Sequence, residues 1–137
     1  MEHIKLITAV DRVEIENLWG FMLIDSGVVS LSRGIEWEPI PIKVPASLSI
    51  TDKIEDRERI YTASLKFLTC EGHLEDNLHY AYRVTIQDGS QMLIGSDQRP
   101  YPIINLNENH PENPTDNQLN EYTVSLISPK KVPYILK

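Results

Sequence analysis

The sequence predicts an all-β chain: a single antiparallel β-sandwich or partly open β-barrel with long loops. Three observations carry this expectation. Apolar residues recur with period two in almost every readable segment, as half-buried strands require. The segments are short and closely spaced, with turn-forming residues between them. One pair of segments, 80–95, flanks Asp88-Gly89, the chemistry of a tight hairpin turn.

Taken in order, 4–9, 13–18, 21–24 and 28–32 read as short strands, with Asp11-Arg12 and Ser26-Gly27 at turns. Residues 40–50 give the clearest alternation. Ile40, Ile42, Val44, Ala46, Leu48 and Ile50 share one face, and Pro41, Lys43, Pro45, Ser47 and Ser49 share the other. The two prolines cannot donate ladder hydrogen bonds, so the segment is expected at a sheet edge or with a break. Residues 51–58 are polar, and Thr51 can cap a short turn, so they read as a loop with one helical turn at most. In 59–69, Tyr61, Ala63, Leu65 and Phe67 share a face; Ile60, Tyr61, Thr62 and Thr69 favour strand over helix. Tyr80, Tyr82, Val84 and Ile86 then alternate up to Asp88-Gly89, and 91–95 returns. Residues 103–106 and 122–126 close the series. The prolines and asparagines of 107–120 predict a long irregular loop.

The chain has 137 residues, the length of one domain, and folding to a core needs no disulfide at this size. Its single cysteine, Cys70, excludes an intrachain disulfide framework. Thirteen Lys and Arg against twenty Asp and Glu give a net charge of -7. That balance argues against a basic nucleic-acid footprint and against docking on anionic membranes. No apolar run reaches membrane-spanning length. The start lacks a basic flank and a long apolar stretch, so a cytoplasmic protein is expected. No repeat of 20–50 residues and no Gly- or Ser-rich linker divides the chain.

Chemistry-bearing motifs are sparse. Cys70 and His73 flank Glu71-Gly72, with no third group to orient a nucleophile pair; a lone thiol beside a turn is the simpler account. His3, His73, His79 and His110 show no zinc spacing, and the oxygen-rich loop 107–117 does not match a calcium loop. Glu14 and Glu16 alternate with Val13 and Ile15, which puts both on the solvent face of a strand. No phosphate-binding glycine loop and no G-x-S-x-G is present. No catalytic residue, metal ligand or cofactor is therefore assigned. Tyr80, Tyr82 and Tyr122 share strand faces with aliphatic residues and are expected in the core. Trp37 does not fit an uninterrupted alternation and Tyr101 lies between two prolines; both are candidate exposed anchors at a partner surface.

The second half carries a resemblance. Tyr82-Arg83-Val84-Thr85, Asp88-Gly89, Leu93-Ile94-Gly95, Arg99-Pro100-Tyr101-Pro102, Asn120-Glu121-Tyr122-Thr123-Val124 and Ser128-Pro129-Lys130-Lys131-Val132-Pro133 form the matching texture. Over residues 60–137 the chain resembles small β-rich structural proteins of phage or prophage tail and head–tail modules in gut bacteria. The resemblance implies a virion or tail-assembly component, a non-enzyme that acts by self-association. It carries over no active-site residues.

One domain over 1–137 is expected, with 128–137 as a candidate extended arm. Pro129 and Pro133 hold that tail extended, and Tyr134, Ile135 and Leu136 are its candidate interface residues. The tail could instead complete its own sheet. The expected partners are copies of the chain or other structural proteins. Two rival readings remain: a ligand-binding module for carbohydrate or a small molecule using an aromatic patch, and a metal-dependent hydrolase using His73, His79 or His110.

Overall fold

The computed structural model describes residues 2–18, 22–25, 27–72, 74, 76–107 and 120–136. It is all-β. The strands are β1 (Glu2–Glu14), β2 (Met22–Asp25), β3 (Val28–Ser30), β4 (Glu38–Ile40), β5 (Lys43–Glu55) and β6 (Glu58–Thr69). They are followed by β7 (Tyr80–Ile86), β8 (Gln91–Ile94), β9 (Ile103–Asn107), β10 (Asn120–Ser128) and β11 (Tyr134–Ile135). All join one sheet in the order β2-β3-β11-β8-β7-β1-β5-β6-β10-β9, with β4 added on β1. Among the described residues β2 and β9 do not pair, so the sheet is open. Among the described residues every ladder is antiparallel except β11 with β3, which is parallel.

Asp11-Arg12 is not a turn. β1 runs through it as one strand, pairing Asp11 with Arg83 and Arg12 with Tyr82 across β7. The two charges break the apolar alternation because each has a partner across the sheet. β1 ends at a 3-10 turn, Ile15–Asn17, so Glu14 closes the strand and Glu16 lies in that turn. The shared strand face expected for the two carboxylates therefore does not form.

The proline-bearing segment 40–50 is an interior strand with a break. β4 stops before Pro41, and β5 then runs between β1 and β6. The β5–β6 register shifts between Lys43 and Ser47, where Pro45 cannot donate to the ladder. On the other side, β1 pairs Ile7 with Ala46 and resumes with Val10 against Ile40.

Residues 51–58 are neither a loop nor a helical turn. The β5–β6 hairpin runs unbroken to Glu55 opposite Glu58, closed by Asp56 and Arg57 at φ 51° and 68°. Both central residues at positive φ match the right-handed twist of the strands. The second hairpin is looser than a two-residue turn. Gly89 N–H donates to the Ile86 carbonyl at 2.8 Å, and Ile86 N–H donates to Ser90 at 2.8 Å. Gly89, at φ 94°, takes the left-handed position that ends this three-residue loop.

The sheet curls so that strands distant in its order share one core. Leu48 of β5, Leu65 and Phe67 of β6, Val84 of β7, Ile94 of β8 and Val124 of β10 belong to a single buried cluster. Tyr80, Tyr82 and Tyr122 are buried in it, as their strand faces predict. A smaller cluster lies on the other face of β7 and β8, where Ala81 and Leu93 meet Val13, Leu18, Val29 and Ile35. β7 and β8 thus each place apolar residues on both faces, although β7 also carries Arg83 and Thr85 on the second. Gly95 ends β8 at φ 103°, and a β-carbon there would stand 2.8 Å from Pro102 Cγ, so only glycine fits.

The outer face of β1, β5, β6, β10 and β9 carries short hydroxyls among its side chains. One row across it reads Ile4, Ser49, Ser64, Ser125, Ile103. Ile4 and Ile103, at its two ends, are 66% and 61% exposed. No helix among the described residues is long and apolar enough to cross a membrane.

Candidate functional site

Two places concentrate charge against the core, and they differ in kind. The first is Arg12. Its residue type is unusual among buried groups, yet only 5% of it is exposed. The guanidinium donates from Nη1 to the Leu74 carbonyl at 2.8 Å and from Nε to Glu38 Oε2 at 3.4 Å. It also lies 4.1 Å from the centre of the Tyr80 ring. The Tyr80 hydroxyl donates to Asp76 at 2.7 Å, and Leu74 N–H donates to the Tyr122 hydroxyl at 3.4 Å. Among the described residues no buried side-chain N or O is left without a partner.

Titration follows from this burial. Desolvation pushes the Tyr80 hydroxyl up to about 12, and its bond to Asp76 adds to the rise. Burial likewise pushes Tyr82 up to about 12. Asp76 feels a raising effect of burial, which the bonds from Tyr80 and the Leu78 N–H outweigh, so its carboxyl sits below the ordinary value. A pocket of about 180 Å³ opens beside Arg12, lined by Glu38, Pro41, Glu71 and Leu74. The arrangement is closed: among the described residues none of its buried side-chain donors lacks an acceptor. It holds Leu74 and Asp76 against the core.

The second place is a cleft of about 650 Å³ between β8 and the end of β10. Val29 and Leu93, both fully buried, stand at its base. Tyr61, Leu126 and Val132 line its walls, and Gly95 to Pro100 and Ser128 to Pro133 frame it. Arg99, Lys130 and Lys131 stand at its rim with one carboxylate, Asp97. None of the three cations has an ion-pair partner among the described residues. Along β10, Tyr122 and Ser128 are separated by about 20 Å at ~3.3 Å per residue, so the two places mark opposite ends of that strand.

The tail, described over 128–136, reaches this region and enters the chain's own sheet. Tyr134 and Ile135 form β11, inserted between β3 and β8. Leu93 N–H donates to the Pro133 carbonyl at 3.0 Å, Tyr134 N–H to Gly27 at 2.7 Å and Leu136 N–H to Val29 at 2.8 Å. Ile135 packs on the smaller cluster, whereas Tyr134 and Leu136 remain 39% and 55% exposed. Lys5 Nζ lies 5.8 Å from the Tyr134 ring centre. Trp37 is half-buried on the same cluster, with the Arg83 guanidinium 4.6 Å from its ring centre. Arg83 is held there by Asp11, at 3.0 Å. Tyr101 is half-buried, 4.7 Å from the His79 ring. So Ile135 and Trp37 border one cluster, and Tyr101 stands apart with His79.

Cys70 is exposed, and its expected neighbour His73 lies outside the described residues, as do His110 and loop 108–119. Among the described residues no three His, Cys, Asp or Glu side chains converge as metal ligands. Sequence reasoning missed both Arg12 and the cleft. For Arg12 a signal existed: a lone arginine between Val10 and Val13, inside an apolar alternation. The cleft has no such signal, because its walls come from segments far apart in the chain. No family model, curated protein or solved structure matches this chain.

Proposed function

We propose that this chain is a non-enzymatic structural protein that assembles with copies of itself by exchanging β11, as phage-like tail or head–tail subunits would. The observation that supports this reading is the attachment of β11. A two-residue strand at the end of a proline-bearing connector, 129–133, supplies the ladder that joins the β2–β3 hairpin to β8. Tyr134 and Ile135 of one copy entering the slot of another would rebuild the same hydrogen bonds and the same contact of Ile135. The exchange therefore costs little, and prolines at 129 and 133 favour an extended connector. Head-to-tail exchange closes into a ring or continues into a tube. The hydroxyl row, flanked by exposed Ile4, Ile103 and Ile127, offers a second contact between neighbouring subunits.

The test is mass in solution by size-exclusion chromatography with light scattering, over a hundredfold concentration range. Discrete rings or concentration-dependent growth are expected from the intact chain. Deleting 130–132 shortens the connector so that β11 cannot return to its own slot, and this variant is expected to be oligomeric throughout. An intact chain that stays monomeric at every concentration, together with a monomeric connector deletion, overturns the reading.

A further inference from the structure

We propose that the cleft between β8 and β10 is a binding site for a small amphipathic anion, an apolar chain or ring bearing one carboxylate or phosphate. Its volume of about 650 Å³ suits a small molecule. The apolar part has a place to go. Half-buried Tyr61, Leu126 and Val132 form the apolar floor and wall open to a ligand, backed by Val29 and Leu93, which are fully buried behind them. Removing a hydrocarbon from water onto these walls is worth about 0.8 kcal/mol for each methylene buried.

The rim sets the sign of the charge. Arg99, Lys130 and Lys131 against Asp97 give a local excess of two positive charges, in a chain whose net charge is -7. Three cations gathered on one rim repel one another, and an anion between them relieves that repulsion. Arg99 offers a planar fork to a carboxylate or phosphate, and the two lysines offer mobile point charges. Neither feature alone selects this ligand. An uncharged hydrocarbon would use only the floor, and an inorganic anion would use only the rim. The lining described is that of one chain with β11 in its own sheet; Lys130, Lys131 and Val132 lie on the connector that strand exchange would move, whereas Tyr61, Leu126 and Arg99 do not.

The test is calorimetric titration of the intact chain with decanoate and decyl phosphate, using decanol, decyltrimethylammonium and acetate as comparison ligands. Hydrogen exchange locates the site. Saturable binding of one or both amphipathic anions is expected, at least tenfold tighter than the three comparison ligands, with protection confined to 93–100 and 126–133. Replacing Lys130→Glu together with Lys131→Glu is expected to weaken that binding at least tenfold without lowering the melting temperature. Leu126→Asp, at the wall, is expected to weaken decanoate more than it weakens acetate. No saturable binding of either amphipathic anion overturns the proposal. So does equal affinity for decanol or acetate, or protection elsewhere in the chain.

Discussion

The Arg12 site and the tail cleft both set cations against the same curled sheet, and they resolve the charge in opposite ways. At Arg12 the cation is buried, and its donors are consumed by a backbone carbonyl, a carboxylate and an aromatic face. At the cleft the cations stay in water beside an unfilled apolar surface. A polar group that has been desolvated must be satisfied within the fold, so it serves stability. A charge left solvated escapes the cost of desolvation and stays free to meet something else. Burial, more than residue type, separates a structural cation from a recruiting one.

Four substitutions sharpen that contrast. The largest effect is expected for Arg12→Leu, which leaves the Leu74 carbonyl without its donor and the Tyr80 ring without its cation. A loss of about 3 kcal/mol is expected, read as a lower urea midpoint at unchanged slope. An unchanged midpoint would show that the buried network is dispensable and would erase the comparison. Next comes Gly95→Ala, in the wall of the cleft. Its β-carbon would collide with Pro102 and hold a disfavoured φ, for a loss of about 2 kcal/mol. A neutral result would mean that the β8–β9 connection yields easily, and with it the cleft.

Tyr80→Phe is expected to cost about 1 kcal/mol by removing the bond to Asp76. It also has a pH signature. The hydroxyl pKa rises from 10.0 when unfolded to about 12 in the fold, so the unfolded chain releases its proton first. Stability from this group is complete below pH 10 and is lost as pH climbs to 12, so the phenylalanine variant should show a shallower alkaline decline. Asp76 works on the acid side. Its carboxyl is lowered from 3.8, so its contribution is present above that value and lost as pH falls through the folded one. The smallest effect is expected for Lys130→Ala, within about 0.5 kcal/mol of the parent by the same urea titration. A larger loss would mean that this lysine is structural after all.

Much of the sheet was legible because half-buried strands impose period two on their side chains. β6, β7, β8 and β10 lie where the alternation places them. The failures have local causes. Asp11 and Arg12 look like turn residues until their partners Arg83 and Leu74, more than sixty positions away, are known. Asp56 and Arg57 adopt positive φ without glycine or asparagine, so no composition signal marked that turn. Pro45 predicts an edge or a break, and it is the break that forms: an interior strand accommodates the proline where the register shifts. β11 is two residues long, below the length at which any period can be seen. The Arg12 site was half-legible from its odd position; the cleft was invisible, since only folding brings 27–29, 61, 93–100 and 126–133 together.

The parallel ladder has a kinetic consequence. Tyr134 pairs with Val28, more than a hundred positions upstream. Closing so large a loop is entropically costly and is rewarded only at the end, so this ladder should be among the slowest steps of folding. During synthesis on a ribosome the β2–β3 hairpin emerges early, yet it lacks its sheet neighbour until residue 135 has been added. Through that interval its edge stands open to any strand nearby. If β11 exchanges as proposed, the order in which strands reach this edge would decide between closing alone and joining a neighbour.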